Sequence, residues 1–265
     1  MTTGHAMTTA GTPQPERASD RRYSRAPIVE AILDVRIAAT AEFTLQRLSL
    51  ANAGLGTEYP RRVATHRQRI QGSFSSDTPD VTAEQSTIGF VFVSQDGLQQ
   101  YRVTAEGLTF NRLAPYVGWH AFRNEAKRAW DQFRSALGTS LVVSRVGLRY
   151  INKVEIPTQT GEVKLDEYFS TVPTVSPTLP QPIHGFFMRI ELPLPDVDGT
   201  LAVVVAGAPS ERPEHVGVLL DIDMFKLISS PIDEEELWST IELLRKAKNS
   251  AFEACITDRT RELID

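Results

Sequence analysis

The sequence predicts an α+β fold: two halves of similar element order sharing one curved antiparallel sheet, with helices covering one face. Three observations predict it. Period-two alternation marks a strand at the head of each half, Val29 to Ile37 and Leu141 to Ile156. Asp96-Gly97 and Glu106-Gly107 separate short apolar runs, and Asp-Gly is a hairpin signal. Each half closes on a long amphipathic segment, and a meander of strands must bury one face under such a cover.

The elements follow in chain order. Met1 to Ser24 is rich in Thr, Gly, Pro and Ala without periodicity, which predicts a disordered leader over 1–24. The first half spans 25–140. Val29, Ala31, Leu33, Val35 and Ile37 form the apolar face of its first strand, against Glu30, Ile32, Asp34 and Arg36. Thr40 is placed to cap a short helix through about Ala53, ended by Gly54 and Gly56. Arg61 to Ile70 reads as a polar strand and Gly72 to Ser86 as a loop. Strands follow near 88–94, 98–104 and 107–112. A helix over 118–137 buries Trp119, Phe122, Ala126, Ala129, Phe133 and Leu137, with Gly138 as its stop.

The second half spans 141–265. Its long strand is followed by a short helix over Leu165 to Ser170 and a Pro-rich loop over Pro173 to Pro182. Strands are expected near 183–192, 200–207 and 215–225. The last helix runs from Asp233 to about Arg259, its first-turn acids suited to the positive end of the helix dipole. Cys255 is expected to pack on its apolar stripe with Leu237, Ile241, Leu244 and Ala251.

Composition bounds the function. The 265 residues are 41% hydrophobic and 23% charged, a globular balance. A net charge of −5 and a pI of 5.6 argue against a general nucleic-acid binder. One cysteine allows no intrachain disulfide and points to a reducing compartment. No apolar run approaches the ~18 residues of a membrane span. Met1 to Asp20 has no apolar core, so a cytoplasmic chain is expected, without a membrane partner. No Walker or Rossmann loop, HExxH, CxxC or Gly-x-Ser-x-Gly is present, and no cofactor is expected. The five histidines have no metal-ligand spacing.

Four groups of residues remain. Glu30, Asp34 and Arg36 share one strand face, and Arg145, Arg149, Lys153 and Glu155 share another. Together with Asn152 they could floor a site for an anionic ligand; the structural alternative is a cross-strand ion-pair ladder. Asp221 and Asp223 share a strand face, with Glu191 on a neighbour. They could hold a hard cation, or simply be solvated. Arg61, Arg62, His66, Arg67 and Arg69 make a basic segment. Residues 1–140 carry 16 basic and 13 acidic side chains, residues 141–265 carry 12 and 20. Arg61, Arg62, Arg67 and Arg69 could contact phosphates, or line a solvated edge strand. Tyr116, Trp119 and Trp130 make an aromatic group, for which core packing is expected.

Three segments also carry a family resemblance. Ala26-Pro27-Ile28-Val29-Glu30-Ala31 resembles a PPIVEA signature, with Ala26 for the first proline. Pro115-Tyr116, Trp119 and Phe122 match PY..W..F, and Arg145-Val146-Gly147-Leu148-Arg149-Tyr150-Ile151-Asn152 matches R.GLRYIN. In this the chain resembles a sporadically distributed, mostly uncharacterised prokaryotic family of about this length. The resemblance implies a bacterial or mobile-element protein and carries over no catalytic residues.

The leading expectation is a cytoplasmic binding or protein-interaction module, from a mobile defence or toxin–antitoxin-like system, with a protein partner or a second copy. A small anionic ligand fits it too. One alternative is a metal-dependent enzyme on a phosphorylated or nucleotide ligand, using Asp221 and Asp223 for the cation and Arg145 and Arg149 for phosphate. Another is a nucleic-acid binder using the basic segment.

Overall fold

The computed structural model describes residues 21–38, 43–75, 78–138 and 141–265, with side chains over all of these except 69–83. The described residues form one nine-stranded, fully antiparallel sheet. Its strands are β1 (Ile28–Ile37), β2 (Arg61–Ser75), β3 (Thr78–Val93), β4 (Gln99–Thr104), β5 (Gly107–Leu113), β6 (Val143–Pro157), β7 (Phe187–Leu194), β8 (Gly199–Ala208) and β9 (His215–Leu227). The order is β2-β3-β4-β5-β1-β6-β9-β8-β7, so β1 and β6 meet in the middle. In each half the first strand pairs with the last, β1 with β5 and β6 with β9, and the other strands run outward. The helices are α1 (Leu45–Ser49), α2 (Trp119–Leu137), α3 (Glu234–Cys255) and α4 (Asp258–Ile264).

Alternation sets the two faces. Ala31, Leu33 and Val35 of β1, Val146, Leu148 and Tyr150 of β6, and Leu220, Ile222 and Met224 of β9 are buried together. Phe122 of α2 packs on this face, 5.4 Å from Phe110 and 6.2 Å from Tyr150 between ring centres. Leu237, Ile241 and Leu244 of α3 join the same core. Both long helices therefore cover one face, and the intervening side chains of β1 and β6 emerge on the other.

Local chemistry explains where the helices begin and end. Gly138 stops α2 in the left-handed conformation at φ +63°. Asp233 and Glu236 start α3 with a capping box: Glu236 N donates to Asp233 Oδ1 at 2.8 Å, and Asp233 N to Glu236 Oε2 at 3.0 Å. Gly107 is required at the β4–β5 turn. Its φ is +139°, and a Cβ there would sit 2.2 Å from the Val35 carbonyl oxygen.

Several expectations need correction. Residues 72–75 and 78–86, expected as loop, are strand. β2 and β3 pair from Arg61↔Val93 to Ser75↔Thr78, with one register shift at Thr65/His66. Polar composition suggested a loop, but Thr78, Val81 and Thr82 are β-branched and favour a strand. Thr40 lies outside the described residues. The helix near it is shorter than expected: Thr44 caps α1, its Oγ1 accepting from Arg47 N at 3.2 Å, and a 3₁₀ turn over Leu50–Asn52 follows. Leu165 to Ser170 is a single 3₁₀ turn, Leu165–Glu167. β7 starts at Phe187, not near 183.

The last helix breaks. Ile256 is extended and bridges Phe169, while Ser170 N donates to Cys255 O at 2.9 Å and Thr257 N to Tyr168 O at 3.0 Å. These tertiary bonds replace helical ones where Ile256 and Thr257 weaken the helix. Of the leader, residues 1–20 lie outside the described residues, but Tyr23 is docked. Its hydroxyl donates to Glu253 Oε1 at 2.6 Å and its ring packs edge-on to Phe252. No described helix is long and apolar enough to cross a membrane.

Candidate functional site

The charged face of the sheet is an ion-pair ladder. Arg145 on β6 donates to Asp34 on β1 at 2.6 Å and lies 3.7 Å from Asp223 on β9, its guanidinium over the Phe225 ring at 4.4 Å. Arg149 does not turn to β1. Register sets it opposite Ile32, and it forks onto Asp221 with contacts of 2.5 to 3.1 Å. Glu30 accepts from Asn111 Nδ2 at 2.6 Å, and Arg36 donates back to Asp34 at 3.1 Å. Lys153 pairs with Glu155 at 2.9 Å. Asn152 belongs to the opposite face: it is 3% exposed and donates to Leu220 O at 3.0 Å. β6 alternation makes this inevitable, because Arg149 and Asn152 are an odd number of residues apart.

The two aspartates are already occupied by arginines. Asp221 is 8% exposed beneath Arg149. Burial pushes the Asp223 carboxyl up, against the lowering pull of Arg145 and Arg149. Glu191 stands two strands away on β7, bonded to Arg189. Among the described residues no group of three or more His, Cys, Asp or Glu could hold a metal ion.

The described side chains of the basic segment divide between the two faces of β2. Adjacent Arg61 and Arg62 emerge on opposite faces of β2. Arg62 stacks over Phe90 at 5.1 Å, and Arg67 pairs with Glu106 at 2.6 Å. Arg69 has no described side chain.

The structure instead places a cleft of about 1470 Å³ between α2 and α3, on the helical face. The helices are bridged by side chains across it. Trp119 Nε1 donates to Glu242 at 2.8 Å, Arg123 stacks on Trp238 at 5.0 Å, and Lys127 and Arg134 both bond Glu234. All three segments that carry the family resemblance line this cleft: Pro27 and Ile28, Tyr116 and Trp119, and Tyr150 and Asn152. Trp119 both packs on the core and walls the cleft, more than the core role expected of it.

Lys248 lies at the bottom. It is 5% exposed, and its Nζ sits 3.5 Å from the centre of the Tyr150 ring. Among the described residues no carboxylate comes within salt-bridge distance of it, while the nearby acids are engaged. Glu242 is held by Arg245 and Trp119, Glu253 by Arg261 and Tyr23. Burial, reinforced by the Arg245 charge, drives the lysine well below its ordinary value. The ring face attracts an ammonium by about 0.5–2 kcal/mol. Burying that ion costs several kcal/mol, so the desolvation wins. Beside it, the Tyr116 and Tyr150 hydroxyls are 2.7 Å apart. Burial raises both, Tyr116 to about 12. Cys255 is buried and its thiol pushed up by burial, which makes it core rather than nucleophile.

Sequence reasoning missed Lys248, yet a signal was present. The buried stripe of α3 runs Leu237, Ile241, Leu244, Lys248 and Cys255, at successive steps of four, three, four and seven. Lysine is almost never fully buried without a partner, so one in phase with an apolar stripe marks a site. No family model matches the chain, and no curated protein matches it.

Proposed function

We propose that the chain is a binding protein whose cleft takes a small organic anion with a flat apolar body. The observation that carries this reading is Lys248, a buried amine without a carboxylate partner among the described residues, at the bottom of a large cleft. Trp119, Trp238 and Tyr116 supply apolar and π surface for the body of the ligand. Arg123 and Arg245 add positive charge on the walls. An entering carboxylate gives the buried amine the anionic partner that it lacks among the described residues.

This keeps the class of cytoplasmic binding module expected from the sequence, and the bacterial origin that the resemblance implies, and moves the site from the sheet's charged face to the cleft. A thermal-shift panel tests it. Benzoate and related aromatic carboxylates should raise the melting midpoint, and the matching neutral amides should not. Equal shifts from both series would overturn the reading.

A further inference from the structure

We propose that Lys248 joins covalently to its ligand, condensing with an aldehyde or ketone group of the bound anion to form an imine. This rests on the anion-cleft reading and deepens it to a carbonyl-bearing substrate class. Three features support it. The amine is isolated from carboxylates among the described residues, beside the Arg245 cation, in a desolvated aromatic pocket. Those conditions shift a lysine toward its unprotonated, nucleophilic form. The cleft has room for a second reactant above it. The Tyr116–Tyr150 hydroxyl pair stands beside the lysine with high proton affinity, and only one of its two protons can bridge the pair.

The step balances without an oxidant. The Nζ lone pair attacks the carbonyl carbon, and a proton passes from nitrogen to oxygen to give a carbinolamine. Its hydroxyl leaves as water, carrying the amine's second proton, and a C=N bond remains. Tyr116 is the positioned donor that assists this departure and recovers the proton. For such a ligand Arg123 and Arg245 hold the carboxylate and the carbonyl carbon lies at Nζ, whereas a carboxylate without a carbonyl, such as benzoate, sets its carboxylate at Nζ instead.

The probe is 4-formylbenzoate, with sodium cyanoborohydride to reduce any imine on the full-length chain. Peptide mapping by mass spectrometry reads the site. Lys246, exposed and two residues away, is the internal control. Lys248 should be labelled at least tenfold faster than Lys246, excess benzoate should slow it, and Lys248→Arg should lose it. Labelling at Lys246 as fast as at Lys248 overturns the covalent inference. Benzoate raising the melting midpoint while Lys248 stays unlabelled overturns it too and leaves the binding reading standing. Fast labelling of Lys248 that excess benzoate does not slow upholds the imine and overturns the anion site.

Discussion

A charge can be buried cheaply only beside its opposite, and single residues of this chain divide on that rule. Lys248, with no carboxylate within salt-bridge distance among the described residues, breaks it, and stability should show the cost. Its folded-state value is lowered by burial and by Arg245, so the unfolded chain binds the extra proton. Arg245 on α3, Tyr150 on β6 and Tyr116 before α2 face it, and Glu242 and Glu253 line the same cleft. The penalty is complete below the lowered value and vanishes as pH rises through the unfolded lysine value near 10.4. Lys248→Met should therefore raise the melting midpoint at pH 7, and the gain should shrink toward pH 10.5 in a pH series of melts. A midpoint that falls at pH 7 would show the lysine to be structural. The aspartates should part company as well. Asp221→Asn leaves the Arg149 fork without its anion and should cost ~1–2 kcal/mol by urea denaturation. Asp223, its carboxyl already raised by burial, should accept Asn with little change. Equal losses at both positions would contradict this division of the ladder.

Elements were legible in the sequence where one period dominated. The apolar stripe of α2 and its Gly138 stop, the acidic start of α3, and the alternation of β1 and β6 all follow from spacing. Legibility failed where tertiary bonds or backbone pairing decided the outcome. The β2–β3 hairpin is held by its partner strand and shows little apolar pattern of its own. The break after Cys255 is set by Tyr168 and Ser170, which the local sequence does not announce. The candidate site failed for a related reason. It is assembled from Tyr116, Tyr150, Trp238 and Lys248, which two elements, β6 and α3, and the loop before α2 bring together only after packing. Acid–base groups close in sequence drew notice first, and they proved to satisfy one another. One element-level prediction follows from Gly107. Replacement by Ala forces a Cβ against the Val35 carbonyl at a positive φ and should cost more than about 1 kcal/mol in urea. An unchanged midpoint would mean that the β1–β5 contact is looser than the register implies.

The whole molecule joins its halves through the β1–β6 pairing, with side chains from both halves in one continuous core. The sequence divides at about residue 140, but nothing in the core does. Unfolding should therefore be a single cooperative transition, with tryptophan fluorescence and far-ultraviolet dichroism coincident in denaturant. Two separated transitions would mean that the halves are independent units. We further expect the second half, β6 to β9 with α3, to superpose on β1 and β3 to β5 with α2, as their shared connectivity suggests. The cleft lies where the two long helices part over the central strands β1 and β6, so it draws on both halves at once. Its claim to function rests on Lys248, and calorimetric titration of benzoate at pH 7 tests that claim most directly. The wild-type chain should bind benzoate, and Lys248→Met should weaken binding at least tenfold. Equal affinity in the two proteins would contradict the account.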